Sequence, residues 1–430
     1  MNKNKKKLIL IQLNELNFEL VNKYCSKYNL KYLKKIIKHK KPNYITNSEN
    51  IYDLLEPWIQ WFSVYTGKTA LQHGVYRLGD GKNYKGELLF NKIENLNFKV
   101  GAISPMNLVN NLKNPSYFIP DPWTDSSSDN SFWSKKITSL LKIAVNNNSG
   151  KIFKLSTFLD ILLILIKFEN IYNYHLYFFY LITSIKCKWR KALFLDLLIN
   201  DIHLNLLIKN KPNFSSVFFN AGAHIQHHHL LKSEFLNKEK KIDPIKDAYY
   251  LYNTILQKYL FSKNDKYEYV IFTGLSQDVN KDPVYYYRLK NHEKFIKYFN
   301  IKYSSLMPRM SRDFEIKFDN QADTENASKK LSEIKTVEKN PLKIFETIDI
   351  REKSLFVTLT YPKKINRKLI INDKNKNLKF YENVNFVAEK NGIHSQKGYL
   401  FFSENLSKLF GSTKLNVKDI HNIILSYFNA

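Results

Sequence analysis

Glu56-Pro57-Trp58-Ile59-Gln60-Trp61-Phe62-Ser63-Val64-Tyr65-Thr66-Gly67-Lys68-Thr69-Ala70-Leu71-Gln72-His73-Gly74-Val75 joins an aromatic run to a Thr-Gly pair and then to a His-Gly pair. Residues 56–65 read as a helix that stops near Thr66-Gly67, because glycine suits the left-handed turn that ends a helix. Outward from this stretch, residues 7–13, 98–103, 215–220 and 269–273 are short apolar runs without alternation. That is the pattern of strands buried on both faces of a parallel sheet. Residues 17–40 have apolar positions at helical spacing with Lys between them, and 417–428 close the chain as a helix. The expected fold is α/β: a doubly wound, mostly parallel sheet flanked by helices. Ligand sites in such sheets lie at the carboxyl ends of the strands, so the polar residues that follow each run are the ones to weigh.

Three parts are expected. Residues 1–130 and 211–430 are the N-terminal and C-terminal parts of the α/β core, and 131–210 is a helical cap insertion. The insertion is rich in Leu, Ile, Phe and Tyr, lacks Pro and has Gly only at Gly150. Its most apolar stretch, 158–166, is about half of what a membrane-spanning helix needs, so it reads as a core helix or as a helix lying on a lipid surface. Residues 120–125 and 126–130 form a turn-rich loop, 281–340 is polar and Lys-rich, and 312–318 and 355–359 read as further strands.

The 430 residues carry a formal charge of +28, and the hydrophobic fraction of 44% permits a large core. Nearly all the positive charge is Lys, with abundant Asn, Ile, Tyr and Phe, a joint excess of the kind that an AT-rich genome produces. No Arg cluster of the kind that reads nucleic-acid grooves is present, so a specific nucleic-acid partner is excluded. Peripheral contact with an anionic membrane or a phosphorylated ligand stays open. The two cysteines, Cys25 and Cys187, form no CxxC pair and suit a reducing compartment. With no signal-peptide core in the first residues, the expectation is a cytoplasmic protein, with the inner membrane surface as a further location.

The 56–75 stretch resembles the nucleophile-helix segment of the alkaline phosphatase superfamily, in its phosphodiesterase and sulfatase branch. The resemblance extends to Asn220-Ala-Gly-Ala-His224, similar to that family's Asp-x-Gly-x-His segment, and to Gly392-Ile-His394-Ser-Gln-Lys-Gly398, similar to its late Gly-x-His segment. It implies a two-metal site whose carboxylates and imidazoles polarise a phosphoryl or sulfuryl oxygen. Several positions depart from that pattern. Asn14 stands where the first Asp is usual, Pro57 at or beside the nucleophile position, and Thr273-Gly-Leu-Ser-Gln277 where Ser-Asp-His-Gly is usual. The resemblance therefore implies at most one divalent metal, zinc or manganese, on Asn220, His224 and His394, or none. Without a hydroxyl at position 57, the usual covalent intermediate is not expected. Ser63, Thr66 and His73 are read as structural.

Glu15, His224 and Asn14 are the catalytic candidates. Glu15 follows a buried strand, where burial is expected to raise its pKa and suit it to general-base work; capping the next helix is its other reading. His224 and His228 are spaced i, i+4 and can share a metal on a helix. His227, Arg288, His292, Arg309, Arg312 and Trp123 are the substrate-binding candidates, since Arg clamps phosphate bidentately and a Trp face suits a sugar or base; Asp121 stands beside that Trp. The functional expectation is a hydrolase or transferase with a remodelled site, acting on a phosphorylated or nucleotide-linked metabolite in surface-glycan biosynthesis. Its alternatives are a non-catalytic ligand-binding protein on the same fold and a conventional metal-dependent phosphodiesterase or sulfatase.

Overall fold

A computed structural model describes residues 6–38, 44–49, 51–146, 155–168, 171–237, 242–261, 267–309, 312–373, 375–407 and 414–429. The chain divides into two compact units: 1–143 with 152–279 and 392–430, and 144–151 with 280–391.

The first unit is built on β1 (Leu8–Leu13), whose six residues are all buried. Alternate side chains enter opposite cores: Leu8 and Leu10 one, Ile9, Ile11 and Leu13 the other. That is why the run shows no polar alternation, since both faces are covered. With β2 (Tyr44–Asn47), β3 (Val100–Ile103), β4 (Tyr117–Ile119), β5 (Phe214–Phe219) and β6 (Glu268–Phe272), it forms an eight-stranded sheet completed by Lys397–Phe402 and Lys414–Asn416. The order is Lys414–Asn416, β2, Lys397–Phe402, β6, β1, β5, β3, β4. β1 lies parallel between β5 and β6, with Leu13 opposite Phe219 and Gln12 opposite Phe272. Lys397–Phe402 is antiparallel to both its neighbours, and every other pairing in the sheet is parallel. The fold is thus α/β with a mostly parallel sheet between helical layers.

On one face pack Pro57–Thr66, Leu89–Asn95 and Asp419–Asn429, through residues such as Trp61, Phe90 and Ile424. On the other pack Phe18–Lys27, Arg190–Asn210, Ala221–His229 and Pro244–Phe261, with Val21, Leu197, Ile225 and Tyr252 buried. Residues 131–210 are helical over most of their described length, and Leu140, Ile164 and Tyr180 join this second core. The expected single helix over 17–40 is two, Phe18–Lys27 and Lys31–Lys38, separated at Tyr28, whose backbone is extended. Among the described residues no helix is long and apolar enough to cross a membrane.

The second unit interrupts the stretch 211–430, which the sequence reading kept within the α/β core. It has its own apolar cluster, including Phe295, Phe314, Leu331 and Leu355. Its four-stranded antiparallel sheet runs Thr347–Arg351, Ser354–Thr358, Asp313–Lys317, Ser305–Pro308, and a three-stranded sheet accompanies it. The strands expected at 312–318 and 355–359 are Asp313–Lys317 and Ser354–Thr358 of the four-stranded sheet. Two long strands, Ser276–Leu289 and Val384–Ser395, pair with each other and carry the chain into this unit and back.

Candidate functional site

β1, β5 and β6 end at one edge of the sheet, and the polar residues that follow them meet there. Glu15 lies two residues beyond β1 with φ of 56°, the left-handed region that non-glycine residues rarely occupy. Its backbone is held on both sides: Glu15 N–H donates to Thr273 O at 3.0 Å, and Gln226 Nε2 donates to Glu15 O at 2.7 Å. The side chain is buried. Asn14 Nδ2 donates to Oε1 at 3.0 Å and Gln277 Nε2 to Oε2 at 2.5 Å.

Two imidazoles face the same oxygen. His227 Nε2 is 3.1 Å and His394 Nε2 3.2 Å from Glu15 Oε2, with the two rings 5.1 Å apart between centroids. Each ring's other nitrogen also faces an oxygen: His227 Nδ1 is 3.4 Å from Gly392 O, and His394 Nδ1 is 3.7 Å from Glu56 Oε2. A neutral imidazole has one N–H and one lone pair, so it cannot donate in both directions. An N–H or a divalent cation on the Nε2 side of each ring would match the Glu15 carboxylate. Burial alone would raise the Glu15 carboxyl. The charges and hydrogen bonds of His227 and His394 outweigh it and hold the group well below the usual carboxylate range. This is opposite in direction to the expected rise, and it keeps Glu15 anionic.

The residues fit a zinc-class ion. Ligand atoms of Glu15, His227 and His394 all lie within 4.8 Å of one another. The two Nε2–Oε2 separations are close to the edge of a tetrahedron with ~2.0–2.1 Å ligand distances. Acceptors on the far nitrogens are the usual support for metal-bound imidazoles.

The remaining sequence candidates divide sharply. Asn14 is buried and its amide is fully engaged, with Nδ2 also donating to Asn220 Oδ1 at 2.8 Å and Oδ1 accepting from Trp61 Nε1 at 2.7 Å. Asn220 thus faces Asn14, whose amide also reaches Glu15. His224 is exposed on the Ala221–His229 helix, its ring 5.1 Å from that of His228. His227 is the residue of this helix whose ring reaches Glu15, where His224 was expected. Gly222 explains how this helix sits so close: a Cβ there would meet Tyr252 Cε2 at 2.7 Å and Leu16 Cδ1 at 2.8 Å.

Trp123 is half-buried in the loop after β4, its N–H donating to Asp121 Oδ1 at 2.7 Å. Asp121 is buried and organises that loop, accepting from Asn107, Trp123 and Thr124, and burial pushes it up to about 6. Arg288, His292, Arg309 and Arg312 belong to the second unit. There Arg288 donates to Arg309 O at 2.9 Å, Arg309 pairs with Glu315, and Arg312 stacks 4.0 Å from the Tyr286 ring. His292 is buried against Phe314, and burial lowers it to about 4.

Pro57 opens its helix and Gly67 closes it at φ 71°. Val75 N–H donates to His73 Nδ1 at 3.0 Å, so the ring proton sits on Nε2 and is donated to Ser63 Oγ at 3.1 Å. His73 therefore cannot draw a proton from Ser63. Burial lowers His73 to about 4. Thr66 Oγ1 donates to Phe62 O at 2.9 Å.

Glu56 and Gln277 are the site residues that the sequence reading missed. Both had a signal. Glu56 directly precedes Pro57, the position where the resemblance expects the nucleophile, and Gln277 closes the loop where it expects two metal ligands.

No family model matches the sequence, and no curated protein matches it. Among solved structures, a phosphonoacetate hydrolase from Sinorhizobium meliloti, in complex with phosphonoformate, is similar over 99% of this chain and 96% of its own, with 9% identity and a TM-score of 0.46. Murine ectonucleotide pyrophosphatase / phosphodiesterase 5 is similar over 98% and 95%, with 11% identity and a TM-score of 0.42. A variant of the alkaline phosphatase PafA is similar over 99% and 96%, with 12% identity and a TM-score of 0.47. These neighbours are members of the alkaline phosphatase superfamily. At such identities and scores, the fold rests on the strand order and register described above.

Proposed function

We propose that this protein is a hydrolase or transferase whose site takes a phosphorylated or nucleotide-linked small molecule at the edge formed by β1, β5 and β6. The observation that carries the reading is the Glu15–His227–His394 cluster. It is a buried carboxylate with the Nε2 atoms of two imidazoles gathered on one of its oxygens. With a cation bound, such a centre would present positive charge toward an anionic oxygen. A zinc-class ion held by these three residues would supply Lewis-acid polarisation of a phosphoryl oxygen. Glu15 fixes both rings, Gln277 and Asn14 fix Glu15, and Trp61 fixes Asn14. Pro57 offers no hydroxyl, so the acceptor in this reading is water or a second substrate's hydroxyl.

A non-catalytic binding protein is the second reading. It is favoured by the Asn14–Asn220 contact, where two amides satisfy each other at positions that the resemblance assigns to acidic ligands.

Elemental analysis of untagged protein, paired with turnover of a phosphoester and nucleotide-sugar panel with added zinc or manganese, separates them. The expected result is about one zinc-class ion per chain, lost in His394→Ala together with turnover. Absence of metal and of turnover in the wild type, with thermal stabilisation by a phosphorylated compound, would replace the first reading by the second.

A further inference from the structure

Two helices of the first unit present apolar stripes to solvent. In Leu155–Phe168, Phe158, Leu162 and Ile166 repeat at four-residue intervals and are exposed, Ile166 by 69%. In Tyr174–Thr183 and the turn after it, Phe178, Ile182 and Ile185 continue the same pattern, exposed by 67%, 50% and 80%. Spacings of three and four place each set on one side of its helix. Neither stripe is the folding face, because Ile164, Phe168, Tyr177 and Tyr180 bury the other sides in the core with Leu193 and Leu197. Single exposed apolar residues are ordinary, whereas continuous stripes mark a contact surface.

The exposed charges next to them among the described residues are lysines. Lys167, Lys186, Lys188 and Lys191 are exposed next to the stripes in sequence. Asp160, the one carboxylate among the described residues of these two helices, is ion-paired with Lys136. We propose that these two stripes dock on an anionic lipid bilayer, seated at the boundary between headgroups and acyl chains with the lysines reaching lipid phosphates. Neither helix can span a membrane, so contact is interfacial. Charge also decides against a second copy of this chain as the occupant, since it would bring the same lysines against one another, while an anionic surface complements them.

The test is co-sedimentation of the full chain with vesicles of phosphatidylcholine alone, or with about one third phosphatidylglycerol, at ~0.1 M salt. The expected result is pelleting with the anionic vesicles only, weakened at ~1 M salt, where the Debye length shrinks to about 3 Å. Phe178→Glu with Ile182→Glu should reduce binding at least about tenfold, and Lys186→Glu with Lys188→Glu roughly tenfold. All four side chains are exposed, so thermal melting of both variants should match the wild type. Three results would each overturn the proposal: no pelleting, equal binding to neutral vesicles, or lipid-free dimers abolished by Phe178→Glu, which would make the face a self-association surface.

Discussion

Glu15 and Asp196 are both buried carboxylates facing the same short helix, Ala221–His229, and burial acts on them alike. Glu15 meets His227 near its C-terminal end; Asp196 sits at its N-terminus, accepting from Asn220 N at 3.2 Å, Ala221 N at 2.9 Å and Tyr252 Oη at 2.9 Å. Yet burial pushes Asp196 up to about 7, while Glu15 is held well below the usual range. The difference lies in the partners. Neutral N–H and O–H donors soften desolvation without reversing it, whereas imidazoles bring charge as well as hydrogen bonds. One helix is thus fixed at its start by a structural acid and at its end by the acid of the site.

The comparison breaks first at Glu15. Glu15→Ala leaves two imidazoles and the Gln277 amide without their common acceptor, and removing one partner of a buried charged cluster costs about 3–5 kcal/mol. Urea denaturation at neutral pH checks this. A loss under about 1 kcal/mol would mean that the rings are neutral and indifferent to the carboxylate.

Asp196 gives a pH signature next in size. Its folded-state pKa of about 7 exceeds the ordinary Asp value of 3.8. Between those values the folded protein binds more protons than the unfolded chain, so its contribution to stability falls as pH rises through that window, by up to about 4 kcal/mol. Asp196→Asn removes the titration, and the difference between the two proteins should change steadily from pH 4 to pH 7. Parallel profiles would assign the slope elsewhere.

Gln277 sharpens the comparison most finely. It donates to Glu15 Oε2 and, at 3.1 Å, to Ala223 O. Gln277→Leu should lose about 2 kcal/mol, the range for a hydrogen bond to a charged group, while leaving the Asp196 pH slope intact. Loss of that slope as well would show that the two ends of the helix form one coupled network.

Much of the frame was legible beforehand. The runs around β1, β3, β5 and β6 read as buried strands because both their faces are apolar, and the Gly67 stop read correctly because a left-handed turn favours glycine. Glu15 and His394 stood out as polar residues at strand ends. The choice between His224 and His227 was not legible: a run of histidines on one helix has no preferred member until the helix is packed against the rest of the fold. Two strands of the second unit were legible at 312–318 and 355–359, but not that they build a separate unit, because its core is assembled from segments far apart in the chain.

Local sequence determined the strands, the helix stop and the stripe spacing in this protein, since each depends on neighbours a few residues apart. The charge of Glu15 and the engagement of Asn14 with Trp61 and Asn220 were decided only in tertiary structure. Both depend on groups brought together from distant parts of the chain, in surroundings where each hydrogen bond or imidazole outweighs what the residue would do alone in water.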